Sequence, residues 1–349
     1  MEVIMKDVIL TTDLYHGHAD PNDHWNLASM FALAHLGWIN FVGIMCDDDR
    51  SLKNDGSFRH FGDPSVQSIA QLNYITGLAV PVGFGSRLPI KKKEDLDKVL
   101  KSNKKISSVT LLLDALERSK TKVDIHMCGS CKDVLIAYNY APELFREKCD
   151  CVYLNAGTYL RQDPIEYNVS LEPYAFSQIF KIPCKIRWAP CFAELTPPPY
   201  KTSKRANFYE IDQGDMVPFM SDAVKKYFNY MYGKVFDVNW LTYLRSPLDE
   251  ELFGTWNNKK RDMWSTPGYL LSAGKYVTEG GEIVDIDSVS KPLYHYTPVS
   301  VEASDDGIVE WKDTSESNIG MFENIDPEKF EKAMAEVIKK LLSTLPDIQ

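Results

Sequence analysis

The stretch VILTTDLYHGHADPNDHWNLA, Val8 to Ala28, decides how the rest of the chain is read. Its apolar start is a strand candidate over 8–13 that ends in Asp13. After a polar loop, Pro21-Asn22-Asp23-His24 opens a helix, with proline in the first turn where its missing N–H costs nothing. A strand running into a helix places this loop at the carboxyl edge of a sheet, so Asp13 and Asp23 can converge there. Carboxylate oxygens suit a hard cation such as Ca²⁺ or Mg²⁺, and no histidine pair stands four residues apart on a helix as zinc would require. The same residues also read as a strand, a solvated loop and a capped helix with no chemistry attached.

Outward from this stretch, short apolar runs alternate with helix-length segments. Strand candidates cover 8–13, 41–46, 81–85, 123–129, 150–157 and 184–190; helix candidates cover 23–36, 66–78, 107–119, 132–145 and 173–180. A Lys-rich surface segment precedes Ser107. The alternation predicts βαβ units: an α/β fold with a mainly parallel central sheet and helices on both faces. The second half is less regular. A Pro-rich basic loop (196–207) gives way to helices at 220–232 and around 241–252. Short β-like pieces follow between Tyr276 and Trp311, with turns at Gly280-Gly281 and Asp305-Asp306-Gly307. An amphipathic helix over 327–345 closes the chain. The whole, 1–349, reads as one domain with a helical and β-rich C-terminal part.

A chain of 349 residues with 44% hydrophobic and 25% charged residues has the make-up of a globular protein with a large core. Its net charge of −10 argues against a nucleic-acid backbone or an anionic membrane as partner, since both need a cationic face. A small neutral or cationic ligand fits better. Seven cysteines, an odd number, point to reduced thiols and a cytoplasmic setting. The start lacks a leader-like pattern, and no apolar run approaches the roughly 18 residues of a membrane span.

Four places, in order, resemble the inosine-uridine-preferring nucleoside hydrolase family and its wider superfamily. The opening loop is similar to the family's DxDxGxDD, with Asp13 and Asp23 retained, Thr11 at the first acidic place and Asn22 at the next-to-last. Cys128-Gly129-Ser130-Cys131-Lys132-Asp133 resembles the TGPLTN turn. Tyr153-Leu154-Asn155-Ala156-Gly157 stands where the family has its MGG strand, and Glu166-Tyr167-Asn168 with Leu171-Glu172-Pro173 is similar to its EFN and DP elements. The ending NIGMFENIDPEKFEKAM resembles the final strand and helix. The resemblance implies a Ca²⁺ ion held by Asp13, Asp23, the carbonyl of Cys128 and a late residue at Ser265. It further implies sugar contacts from Asn22, Asn155, Glu166 and Asn168, with Trp264 beside the substrate. Asp13 would act as the base for a water that attacks the anomeric carbon of a nucleoside or related sugar. Family members are generally homo-oligomers, and the same is expected here.

The departures are specific. Where the family has a His followed by an Asp, this chain has Met263-Trp264-Ser265-Thr266-Pro267, so the leaving-group acid and one carboxylate are both replaced. Asp262 or Asp20 are candidates for the carboxylate, and His16 and His18, in the lengthened first loop, for the acid. His24 reads as an early helix residue and His295 as a strand residue packed on a tyrosine. Two other functions compete. A scaffold lacking the acid can bind a sugar or nucleoside without cleaving it. Cys128-Gly129-Ser130-Cys131 between strand and helix can serve as a thiol redox site.

Overall fold

The computed structural model describes residues 5–15, 20–47, 63–102, 104–160, 165–191, 204–205, 207–235 and 237–348. In β1 (Lys6–Thr12), Val8 and Leu10 enter one apolar core while Ile9 enters another, the alternation of a strand covered on both faces. Full burial of each such side chain contributes roughly 1.5–3 kcal/mol. The strands that follow are β2 (Ile39–Cys46), β3 (Val82–Phe84), β4 (Val123–Cys128), β5 (Cys149–Leu154) and β6 (Lys185–Trp188). Beyond them, β7 (Tyr209–Asp212) and β8 (Lys260–Met263) form an antiparallel ribbon, and β9 (Lys275–Val277) with β10 (Ile283–Asp285) a second one. The late strands β11 (Tyr294–Ala303), β12 (Val309–Asp313) and β13 (Ile319–Asn324) return to the main sheet.

That sheet has nine strands in the order β12-β11-β13-β6-β5-β4-β1-β2-β3. From β6 to β3 every neighbour pair is parallel, β13 joins β6 in parallel, and β11 alone runs antiparallel to β13 and β12. The expected mainly parallel α/β sheet with helices on both faces is therefore the observed architecture. One face is covered by the Pro21–His35, Pro64–Thr76, Asp222–Tyr232 and Pro327–Ser343 helices, the other by the Ser107–Arg118, Lys132–Tyr140 and Pro173–Ile179 helices. The chain leaves β1 toward β2 on one side and later returns beside it as β4. The carboxyl ends of β1 and β4 thus open at the point where strand order reverses, which is where open α/β sheets bind ligands.

Among the elements that differ from the sequence reading are three helical stretches. Pro142 divides the helix expected over 132–145 into Lys132–Tyr140 and Pro142–Lys148, because a proline cannot donate within a helix. The stretch around 241–252 is likewise two helices, Trp240–Arg245 and Glu250–Trp256, the second capped by Asp249. The Lys-rich segment before Ser107 contains the Lys93–Lys101 helix, whose Leu96 and Val99 are buried while its lysines face outward. Among the described residues no helix is long and apolar enough to cross a membrane.

Candidate functional site

Asp13 stands one residue past β1, and Asp23 lies in the first turn of the Pro21–His35 helix; both are buried. The helix starts where it does because Asp20 caps it, accepting from the Asn22 N–H at 2.9 Å, with Pro21 in the first turn. Asp20 N–H in turn donates to the Leu14 carbonyl at 3.0 Å, which brings the two ends of the loop together. Asp23 Oδ2 accepts from the Thr12 hydroxyl and from the Asp13 N–H, so the helix is tied back to the tip of β1. As a result, one carboxylate oxygen from each of Asp13, Asp20 and Asp23 lies within 4.8 Å of the others. Calcium–oxygen distances of about 2.3–2.6 Å allow two ligand oxygens to stand up to roughly 5 Å apart, so these three carboxylates can share one hard cation.

Crowding has an electrostatic consequence. Burial, followed by repulsion from Asp23 and Asp20, pushes the Asp13 carboxyl well above its usual range. Burial and Asp20 raise Asp23 to about 7, against the hydrogen bonds from Thr12 and Asp13 that favour its charged form. Such crowding favours the binding of protons or of a cation over bare charges.

The carboxylates open into a cavity of about 430 Å³, lined also by Asn22, Cys128, Asn155, Glu166, Tyr167, Asn168, Cys191 and Trp264. Seven of the residues read from the sequence as site members besides Asp13 are thus gathered there: Asn22, Asp23, Cys128, Asn155, Glu166, Asn168 and Trp264. Ser265 lies behind the wall. Its hydroxyl donates to Asn155 Oδ1 at 2.6 Å and accepts from the Cys128 thiol at 3.1 Å and Asn26 Nδ2 at 3.4 Å. Asn155 is equally committed, its Nδ2 donating to the Ala189 carbonyl and toward the Cys191 sulfur. Glu166 accepts from the N–H groups of Gly157, Asn168 and Val169 at 2.8, 3.0 and 3.2 Å, joining the turn after β5 to the short Tyr167–Leu171 helix. Burial nonetheless pushes its carboxyl up to about 7. Asn168 Nδ2 donates to the Asn155 carbonyl at 3.3 Å. His16 and His18 lie outside the described residues.

Several assignments sharpen. Asp20, a sequence candidate for the missing carboxylate, joins the cluster, whereas Asp262 sits on β8 opposite Glu210 and is not among the cavity's lining residues. The Asp20-Pro21 pair was a readable cap signature. Tyr167 and Cys191 were not singled out; Tyr167, 39% exposed, stands at the cavity, and its place beside Glu166 and Asn168 was the available signal. His24 is buried, its Nδ1 2.8 Å from the Asp20 carbonyl and its ring edge-on to Tyr15; burial lowers it to about 4, so it is neutral. His295, on β11, faces Glu323 at 3.4 Å. The thiols of Cys128 and Cys131 are buried and free, and burial pushes them up, Cys128 to about 12. A redox thiol at a helix start needs the opposite shift.

No family model and no curated protein matches the sequence. Solved structures do match the fold. The purine-preferring ribonucleoside hydrolase from Gardnerella vaginalis superposes with a TM-score of 0.57 at 11% identity, over 97% of this chain and 99% of that one. A plant nucleoside hydrolase, PpNRh1, gives 0.54 at 14% identity over 96% and 99%. The type III effector protein XopQ, complexed with adenosine diphosphate ribose, gives 0.53 at 12% identity over 97% and 95%. Identities this low speak for the fold alone, and on that evidence of shape the chain has a divergent nucleoside hydrolase-like fold.

Proposed function

We propose that this chain is a divalent-cation-dependent hydrolase of the N-glycosidic bond of a nucleoside or a closely related glycoside. The observation that carries the reading is the convergence of Asp13, Asp20 and Asp23 in the cavity at the reversal point of a nucleoside hydrolase-like sheet. The donor set fits a hard cation, Ca²⁺ or Mg²⁺, because all three groups are carboxylates and no thiolate or imidazole competes among them. When bound, such an ion holds sugar hydroxyls and lowers the pKa of a water.

The remaining steps fall to the protein. Asp13, the residue nearest the strand tip, takes the proton of the attacking water at its carboxylate. Asn22 and Asn168 line the cavity and offer amide groups to the sugar hydroxyls. Glu166 keeps a carboxylate at the wall, where positive charge develops on the sugar ring as the glycosidic bond breaks. Tyr167 and Trp264 give the cavity aromatic surface for a base. His16 and His18 are the candidates for protonating the leaving group. The chain acts on a small molecule rather than on nucleic acid, in keeping with its charge.

A second reading, binding without cleavage, is favoured by one observation: Ser265, at the position of the late carboxylate, has its hydroxyl engaged by Asn155, Cys128 and Asn26. Ribose release is to be measured across a panel of ribonucleosides and ADP-ribose, with Ca²⁺, with Mg²⁺ and in chelator, alongside direct ligand binding. Cation-dependent release is expected. Ligand binding with no release on any member would overturn the hydrolase reading in favour of the binding one.

A further inference from the structure

Asp47 directly follows β2 and is 5% exposed. Nothing in the proposed chemistry uses it, and it is absent from the cavity lining. Its backbone N–H donates to the Thr12 carbonyl at 3.0 Å, one residue before Asp13. Its Oδ2 accepts from the Ser130 N–H at 2.7 Å, in the turn after β4. Between these two attachments lies Gly129. A Cβ placed there would stand 2.9 Å from Asp47 Oδ2, 3.3 Å from the Asp13 nitrogen and 3.4 Å from the Asp13 Cβ. A side chain here would press on the Asp47 carboxylate and on Asp13.

Asp47 thus joins the tips of three adjacent strands: its backbone extends β2 and pairs with β1 at Thr12, and its buried carboxylate reaches the turn after β4 at Ser130. The Gly129 backbone is packed between Asp47 and Asp13, so the turn is the surface on which Asp13 rests. We infer that Asp47 is a positioning residue: it clamps the Gly129-Ser130 turn against Asp13 and so fixes where the Asp13 carboxylate meets the cation. The inference rests on the proposed cation site. Groups of this kind behind a metal ligand typically change affinity by about 10–100-fold when removed, because the ligands then no longer converge.

A simpler role is available, in which Asp47 only stabilises the turn that leads into the Lys132–Tyr140 helix. That role predicts a lower melting temperature with unchanged cation affinity. Calorimetric titration of Ca²⁺ into the wild type, Asp47→Ala and Asp47→Asn, with melting curves recorded in chelator, separates the two. Asp47→Ala is expected to lose about 10–100-fold in affinity. Asp47→Asn is expected to stay within a few-fold of wild type, because its amide oxygen can still accept from Ser130. If Asp47→Ala does not fold, Gly129→Ala, which presses on the same seat, should show the same loss. Wild-type affinity in Asp47→Ala or, failing that, in Gly129→Ala overturns the inference. So does an Asp47→Asn variant as weak as Asp47→Ala, since charge would then be what matters. A wild type that binds neither Ca²⁺ nor Mg²⁺ removes the cation site itself, and the inference with it.

Discussion

Raising the pH in the presence of chelator should destabilise this protein, and Asp23 should account for a measurable part of the loss. An aspartate whose carboxyl sits near 3.8 in the free residue and is raised to about 7 in the folded state is worth about 4 kcal/mol. The sign follows from proton counting. Between those two values the folded state holds a proton that the unfolded chain has released, so stability is greatest below about pH 4 and falls as the pH rises through about 7. With an unfolding entropy of about 0.7 kcal/mol/K for a chain of this length, a loss of that order lowers the melting temperature by several degrees, shared between Asp23 and Asp13, which titrate as a pair. Glu166 and Glu172, each raised to about 7 by burial, add slopes of the same sign. The informative quantity is therefore the difference between wild type and Asp23→Asn, which retains Glu166 and Glu172 and relieves the repulsion of Asp23 on Asp13. Melting curves in chelator at half-unit steps from pH 4 to 8 should show a shallower fall in Asp23→Asn. Ca²⁺ at about 100 times its dissociation constant should return about 2.7 kcal/mol to the wild type at pH 8. It should return much less at pH 5, where protons compete for the same oxygens. Superimposable pH profiles for wild type and Asp23→Asn would refute the electrostatic account of the cluster.

Two further outcomes test the site. Asp20→Asn keeps a good helix cap, because asparagine also accepts from the Asn22 N–H, yet it removes one of three mutually repelling charges; in chelator the melting temperature should not fall, and should rise at high pH, while Ca²⁺ affinity falls about tenfold or more. Of His16→Ala and His18→Ala, one should lower turnover by about 10²–10⁴-fold with ligand affinity retained, and full turnover in both variants would exclude these histidines as the leaving-group acid.

The parallel sheet was legible because its strands are buried on both faces. Runs such as Val8–Leu10 and Val123–Met127 are apolar or β-branched for most of their length and are bounded by polar loops. Asp13 and Asp23 were legible for a related reason, since strand end and helix start fix their place. What the sequence concealed has other causes. The β7–β8 ribbon pairs segments about fifty residues apart in four-residue strands, too short for a period to stand out. The Lys93–Lys101 helix buries only two residues and so reads as surface. Glu166 looked like a free sugar ligand because sequence gives no view of the three backbone N–H groups that converge on it.

The engagement of Ser265 bears on which group completes the proposed cation site. A serine hydroxyl has one proton and two lone pairs, and Ser265 uses them on Asn155, Cys128 and Asn26. A cation drawn to Ser265 would have to displace one of those partners inside a buried network, at a cost of about 1–3 kcal/mol for the group left unsatisfied. Asp20 is only partly buried and has a carboxylate oxygen within 4.8 Å of those of Asp13 and Asp23. On the proposed reading, Asp20 rather than Ser265 supplies the third ligand group. Asp20 also caps the helix that carries Asp23 and closes the loop onto Leu14. On this reading the residue that caps the helix is also a cation ligand, so Ca²⁺ affinity and the position of the helix start are linked through Asp20.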